Sequence, residues 1–132
     1  MIVLDTHALI WVLEDAAPLG RRAAAAANRA LATDTLWTSA MTFWEVALLL
    51  RLGRLRMTLT GEQFRAKVQR LGIQEASVTG EVAVAAAHLS VALKDPADAL
   101  IAATAVVQHA KLMTADTRLL GARGVDTLDA RR

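Results

Sequence analysis

Apolar residues run without interruption from Ile2 to Leu4 and stop at Asp5, after which Leu9, Ile10 and Leu13 recur at the spacing of one helix face. The chain therefore opens as a short buried strand over residues 2 to 5 and a helix from about Thr6 to Glu14. Pro18 and Gly20 mark a turn. An alanine-rich helix is expected from about Arg21 to Ala32, a strand at Leu36-Trp37-Thr38, and a helix from Ala40 to about Leu52 with Gly53 as its stop. Thr60 caps a helix to Leu71, Gly72 ends it, and Ile73 to Val78 reads as a strand.

The second half repeats the alternation. A helix is expected from Thr79 to about Leu93, another from Asp95-Pro96-Ala97-Asp98 to about Ala110, a strand at Leu112-Met113-Thr114, a helical turn or two from Asp116 to Leu120, and a last strand from Val125 to Leu128. Strands alternating with helices predict an α/β domain built on a mainly parallel sheet of about five strands, with helices on both faces. At 132 residues the chain has the length of one domain, 1–132, with one core and no linker.

Composition narrows the chemistry. The hydrophobic fraction of 55% is inflated by alanine, and His88, Lys94 and Asp98 interrupt the longest apolar stretches before they reach the length of a membrane span. No basic leader precedes the first strand, so a signal peptide is not expected and a cytoplasmic location is the default. Without cysteine, thiolate metal sites and cysteine nucleophiles are excluded. Carboxylates, hydroxyls and three histidines remain, and His7, His88 and His109 show no metal-ligand spacing to one another. Net charge is +2, yet the isoelectric point is about 9.7 because the basic residues are mostly arginine. Arg51, Arg54 and Arg56 lie close together, where phosphate contact and a solvated helix end are both open readings.

Four acids stand out. Glu45 has Met41, Thr42, Leu48 and Leu49 as its helical neighbours and no Lys or Arg within a turn, so its carboxylate needs solvent or a cation. Asp5 follows the first strand, where the carboxyl end of an open sheet faces a ligand crevice. Asp98 lies three residues after Asp95 at a helix start and Asp116 follows a strand, so capping explains each of them taken singly. Taken together, the four can converge on one sheet edge. Carboxylates so crowded are usually reconciled by a divalent cation, and oxygen-only ligation favours Mg²⁺ or Mn²⁺ over zinc.

The segments Val3-Leu4-Asp5-Thr6-His7-Ala8-Leu9-Ile10-Trp11, Thr42-Phe43-Trp44-Glu45-Val46, Asp95-Pro96-Ala97-Asp98-Ala99-Leu100-Ile101-Ala102-Ala103-Thr104-Ala105 and Leu112-Met113-Thr114-Ala115-Asp116 together resemble the PIN-domain ribonucleases, most closely the VapC toxins of type II toxin–antitoxin systems. The resemblance runs nearly end to end. It implies a three-layer α/β/α sandwich with Asp5, Glu45, Asp98 and Asp116 as pocket carboxylates and Thr6 and Thr114 as supporting hydroxyls. It also implies metal-assisted hydrolysis of RNA, a homodimer and a VapB-type antitoxin. Asp5 and Asp98 are the first choices as metal ligands, Glu45 the next, and Asp116 acts through water; Arg51, Arg54 and Arg56 hold the RNA backbone. Where many relatives carry His, Phe and Arg, this chain has Leu93, Ala97 and Ala99. Trp11 and Trp44 are read as core residues ahead of lining a groove for the antitoxin tail.

Two rival readings stay open. A receiver-like signalling domain also gathers acids around Mg²⁺ at strand ends, but it needs a nearby lysine, and Lys111 precedes its strand. A catalytically silent PIN module binding RNA or protein would keep the fold, although four intact acids argue against it.

Overall fold

The computed structural model describes residues 1–89 and 93–132. In chain order the elements are β1 (Ile2–Leu4), α1 (Thr6–Glu14), α2 (Arg21–Ala32), β2 (Leu36–Ser39), α3 (Ala40–Arg51), α4 (Gly61–Arg70) and β3 (Gln74–Ala76), then α5 (Gly80–Leu89), α6 (Pro96–Val107), β4 (Lys111–Thr114), α7 (Thr117–Leu120) and β5 (Thr127–Asp129). Local signals set most of these boundaries. Thr60 and Gln63 close a reciprocal capping box at the start of α4. Gly53 and Gly72, just beyond α3 and α4, adopt φ of +69° and +91°, a conformation that glycine accepts without strain. The last turn expected of the α5 helix, residues 90–92, lies outside the described residues.

All strand pairings are parallel, in the order β3-β2-β1-β4-β5. Strand side chains alternate between faces, which builds two apolar layers from one sheet. Ile2, Leu4 and Met113 face one layer with Leu9, Ala27, Phe64 and Val68 of α1, α2 and α4. Val3 and Leu112 face the other with Val82, Ile101, Ala102 and Leu119 of α5, α6 and α7. The result is a three-layer α/β/α sandwich. Among the described residues, no helix is long and apolar enough to cross a membrane.

The chain leaves β1 toward β2 and β3, then returns to the other side of β1 to form β4 and β5. The carboxyl ends of β1 and β4 thus flank the point where the strand order reverses, the usual place for a ligand crevice in an open parallel sheet. Asp5 follows β1 and Asp116 follows β4 by two residues.

After β5 the backbone passes across the start of α2, where Gly20 N–H donates to the Ala130 carbonyl at 2.8 Å and Arg22 N–H to the Arg132 carbonyl at 2.7 Å. A Cβ on Gly20 would lie 2.2 Å from the backbone carbon of Arg132. Gly20→Ala is therefore expected to lower stability by about 1–3 kcal/mol in urea denaturation, because backbone rather than a flexible side chain must move.

Candidate active site

A cleft of about 330 Å³ opens at that carboxyl edge, and its walls include Asp5, Glu45, Asp95, Asp98 and Asp116. All four acids expected from the sequence thus line one cleft, with Asp95 as a fifth. Arg118 and Arg131 supply its guanidinium groups, and His7 and Trp11 complete part of the rim. No lysine is among the lining residues, and Lys111 begins β4, at the opposite sheet edge.

Asp5 is the most deeply buried of the acids. Its Oδ1 accepts the Ala8 N–H at 2.8 Å, capping α1, and its Oδ2 accepts the Thr114 hydroxyl at 2.5 Å. The Thr114 oxygen accepts the Asp116 N–H in turn, at 3.0 Å, so one hydroxyl ties the ends of β1 and β4 together. Each carboxylate oxygen still has a lone pair to offer. Burial pushes the Asp5 carboxyl above its ordinary range, against the lowering effect of Thr114, Ala8 and His7.

Glu45 reaches the cleft from the middle of α3 and accepts a hydrogen bond from the Thr6 hydroxyl, which lies 3.3 Å from that of Thr42. The supporting hydroxyls expected at Thr6 and Thr114 therefore both donate to carboxylates of the cleft. Asp98 stands in the first turn of α6, and its pKa is pushed up to about 6 by burial and by the charges of Asp95, Glu45 and Asp116, with Arg118 opposing. Asp116 shifts the other way: hydrogen bonds from Arg118 hold it below the usual carboxylate range.

Oxygens of Glu45, Asp95 and Asp98 lie within 4.8 Å of one another. This all-oxygen set, with Asp5 lining the same cleft, suits a hard divalent cation such as Mg²⁺ or Mn²⁺. Asp95 is the residue sequence reasoning undervalued. Its Oδ1 caps α6 by accepting the Ala97 N–H at 2.9 Å, as expected of an N-cap, yet the same carboxylate belongs to the group. Capping and ligation use different lone pairs, so one role does not displace the other.

Arg51, Arg54 and Arg56 are exposed but line no part of the cleft; Arg56 lines a separate apolar cavity with Ile10, Met57 and Phe64. The cause is helix direction. α3 starts at the carboxyl edge of β2 and runs back toward the other edge, so Arg51 is displaced from Glu45 by about 9 Å along the axis. Trp44 corrects another expectation: it is 54% exposed rather than a core residue. Trp11 is half-buried, packed against the α1 layer and facing the cleft. Leu93, Ala97 and Ala99 are buried, with Leu93 and Ala99 in the α5–α6 layer.

The profile of the PIN domain family matches residues 2–124, and the chain belongs to that family. No curated protein matches it. Solved structures share the fold. FitAcB from Neisseria gonorrhoeae is 24% identical, with a TM-score of 0.65 over 98% of both chains. DNA-bound VapBC from Salmonella typhimurium is 15% identical, with a TM-score of 0.69 over 97% of this chain and 96% of that one. VapBC-1 from nontypeable Haemophilus influenzae is 18% identical, with a TM-score of 0.61 over the full length of both.

Proposed function

We propose that this chain is a divalent-metal-dependent endoribonuclease toxin of the VapC type, hydrolysing RNA phosphodiester bonds and neutralised by a VapB-type antitoxin. The observation that carries the reading is the convergence of five carboxylates in one cleft, three of them within 4.8 Å of one another. Membership of the PIN family and likeness to VapBC structures support it. The protein is proposed to act in the cytoplasm as a homodimer.

Asp5, Glu45, Asp98 and Asp116 are the proposed catalytic carboxylates, joined by Asp95. Glu45, Asp95 and Asp98 would hold the Mg²⁺ or Mn²⁺ ion, and Asp5, its geometry set by Ala8 and Thr114, lines the same cleft. Asp116, already engaged by Arg118, acts through water. A divalent cation in such a site supplies water activation and charge stabilisation at the scissile phosphate. Arg131, anchored by a 2.7 Å hydrogen bond to the Ala115 carbonyl, presents its remaining guanidinium donors for a phosphate oxygen.

Arg51, Arg54 and Arg56 keep a proposed role outside the cleft, on the flanking RNA backbone. Replacing all three with Ala is expected to flatten the salt dependence of RNA affinity by about 0.7 in log–log slope per lost phosphate contact. Filter binding with a Glu45→Gln background, which leaves the RNA uncut, measures it.

The function itself is tested by incubating the purified chain with structured RNAs and Mn²⁺ or Mg²⁺. Cleavage is expected, ending on chelation and absent in Glu45→Gln. Cleavage that survives both treatments would overturn the reading, and tight RNA binding without cleavage would mark a silent binding module.

A further inference from the structure

The cleft already contains a cation of its own. Arg118 Nη2 lies 2.9 Å from Asp116 Oδ2 and 3.5 Å from Asp98 Oδ2, while its Nε lies 3.3 Å from Asp116 Oδ1. One planar guanidinium thus spans carboxylates from α6 and from the cap of α7. Lysine, a point charge, could not bridge them with the same fork. The local chain explains the placement: Asp116 caps α7 and accepts the Arg118 N–H at 2.8 Å, which folds residue 118 back over its own cap.

Among the described residues, the direct partners of the Arg118 head group are these two carboxylates, with the charge of Asp95 adding to their attraction. Its side chain is 66% exposed. Arg131, by contrast, donates to the backbone carbonyl of Ala115, and the ion pairs among the described residues join it to no carboxylate of the cleft. Exposed ion pairs are weak individually, so a doubly charged ion attracted to the same oxygens is able to displace the guanidinium.

We propose that Arg118 is a positioning residue that acts as an internal counter-ion. It holds Asp98 and Asp116 when the cleft has no divalent cation, competes with that cation, and turns out toward solvent when the cation binds. The proposal rests on the metal-dependent reading above. It makes Arg118 a brake on metal loading, set by the chain itself.

Calorimetric titration with Mn²⁺, without RNA, tests it on the wild type, Arg118→Gln and Arg131→Gln. Arg118 is exposed, so its variant is expected to fold, which circular dichroism verifies. Arg118→Gln is expected to bind Mn²⁺ roughly three- to ten-fold more tightly, the scale of one or two exposed ion pairs. Arg131→Gln is expected to stay within about two-fold of wild type, since solvent and salt screen charges that make no direct contact. Unchanged or weaker binding by Arg118→Gln would overturn the inference, as would an equal gain in both variants, which would signify bulk charge alone. Those outcomes leave the metal-dependent reading standing. Absence of Mn²⁺ binding in the wild type and Arg118→Gln would overturn that reading and the inference with it.

Discussion

Asp98→Asn is expected to lower RNA cleavage by about three orders of magnitude while raising the stability of the metal-free chain. The two effects have one origin. Asp98 lies in the first turn of α6, partly buried and beside Asp95, Glu45 and Asp116, and its pKa is pushed up to about 6. A carboxyl raised in the folded state binds its proton more tightly there than in the unfolded chain, where it titrates near 3.8. The resulting destabilisation is complete above about pH 6, shrinks as the pH falls, and is gone below 3.8. At neutral pH the variant is therefore expected to gain about 1–3 kcal/mol, at 1.36 kcal/mol per pKa unit and allowing for partial solvent access. Thermal unfolding with chelator at pH 7 and pH 5 measures it: the gap between variant and wild type narrows at the lower pH. Saturating Mn²⁺ is expected to narrow it as well, by stabilising the wild type through binding.

Asp5 is expected to behave in the opposite way when truncated. Asp5→Ala leaves the Ala8 N–H and the Thr114 hydroxyl without their acceptors in a buried setting, a loss that outweighs the relief of a buried charge and leaves a net cost of about 1–3 kcal/mol. Asp5→Asn keeps an oxygen for Ala8 and is expected to fold close to wild type, with cleavage lost to a similar degree as for Asp98→Asn. Urea denaturation and cleavage assays on both variants separate the scaffolding role of this residue from its charge. Equal stability of Asp5→Ala and wild type would contradict the hydrogen-bond account.

The strand and helix pattern was legible because each boundary carries a local cause. α1 and α2 have the expected limits, and the Asp95-Pro96 start of α6 is where capping chemistry puts it. Departures occur where local signals are ambiguous. β3 is shorter than the strand expected over Ile73 to Val78, and α6 ends at Val107, before His109 takes a φ of +52°. Strand order was not legible at all, since parallel pairing depends on contacts between residues far apart in sequence.

The same distinction divides the site. Asp5 and Asp116 were legible as acids after strands and Glu45 as an acid on an apolar helix face, whereas Asp98 read singly as a helix-start acid; that the four line one cleft follows from the fold. Asp95 was legible only as a cap, because sequence cannot show that a capping carboxylate also faces Glu45. Arg131 carried no signal, since it enters the cleft through a backbone path fixed by Gly20 and Arg22. The arginines chosen instead, Arg51, Arg54 and Arg56, follow Glu45 in sequence but are carried away from the cleft by the direction of α3.

Locating Mn²⁺ by anomalous X-ray scattering in crystals of an RNA-cleaving preparation tests most directly that the carboxylate group is a cation site. The account predicts an ion at about 2.0–2.2 Å from oxygens of Glu45, Asp95 and Asp98, in the cleft that Asp5 also lines. A preparation that cleaves RNA yet shows no ion in this cleft, or binds it elsewhere, would contradict the account.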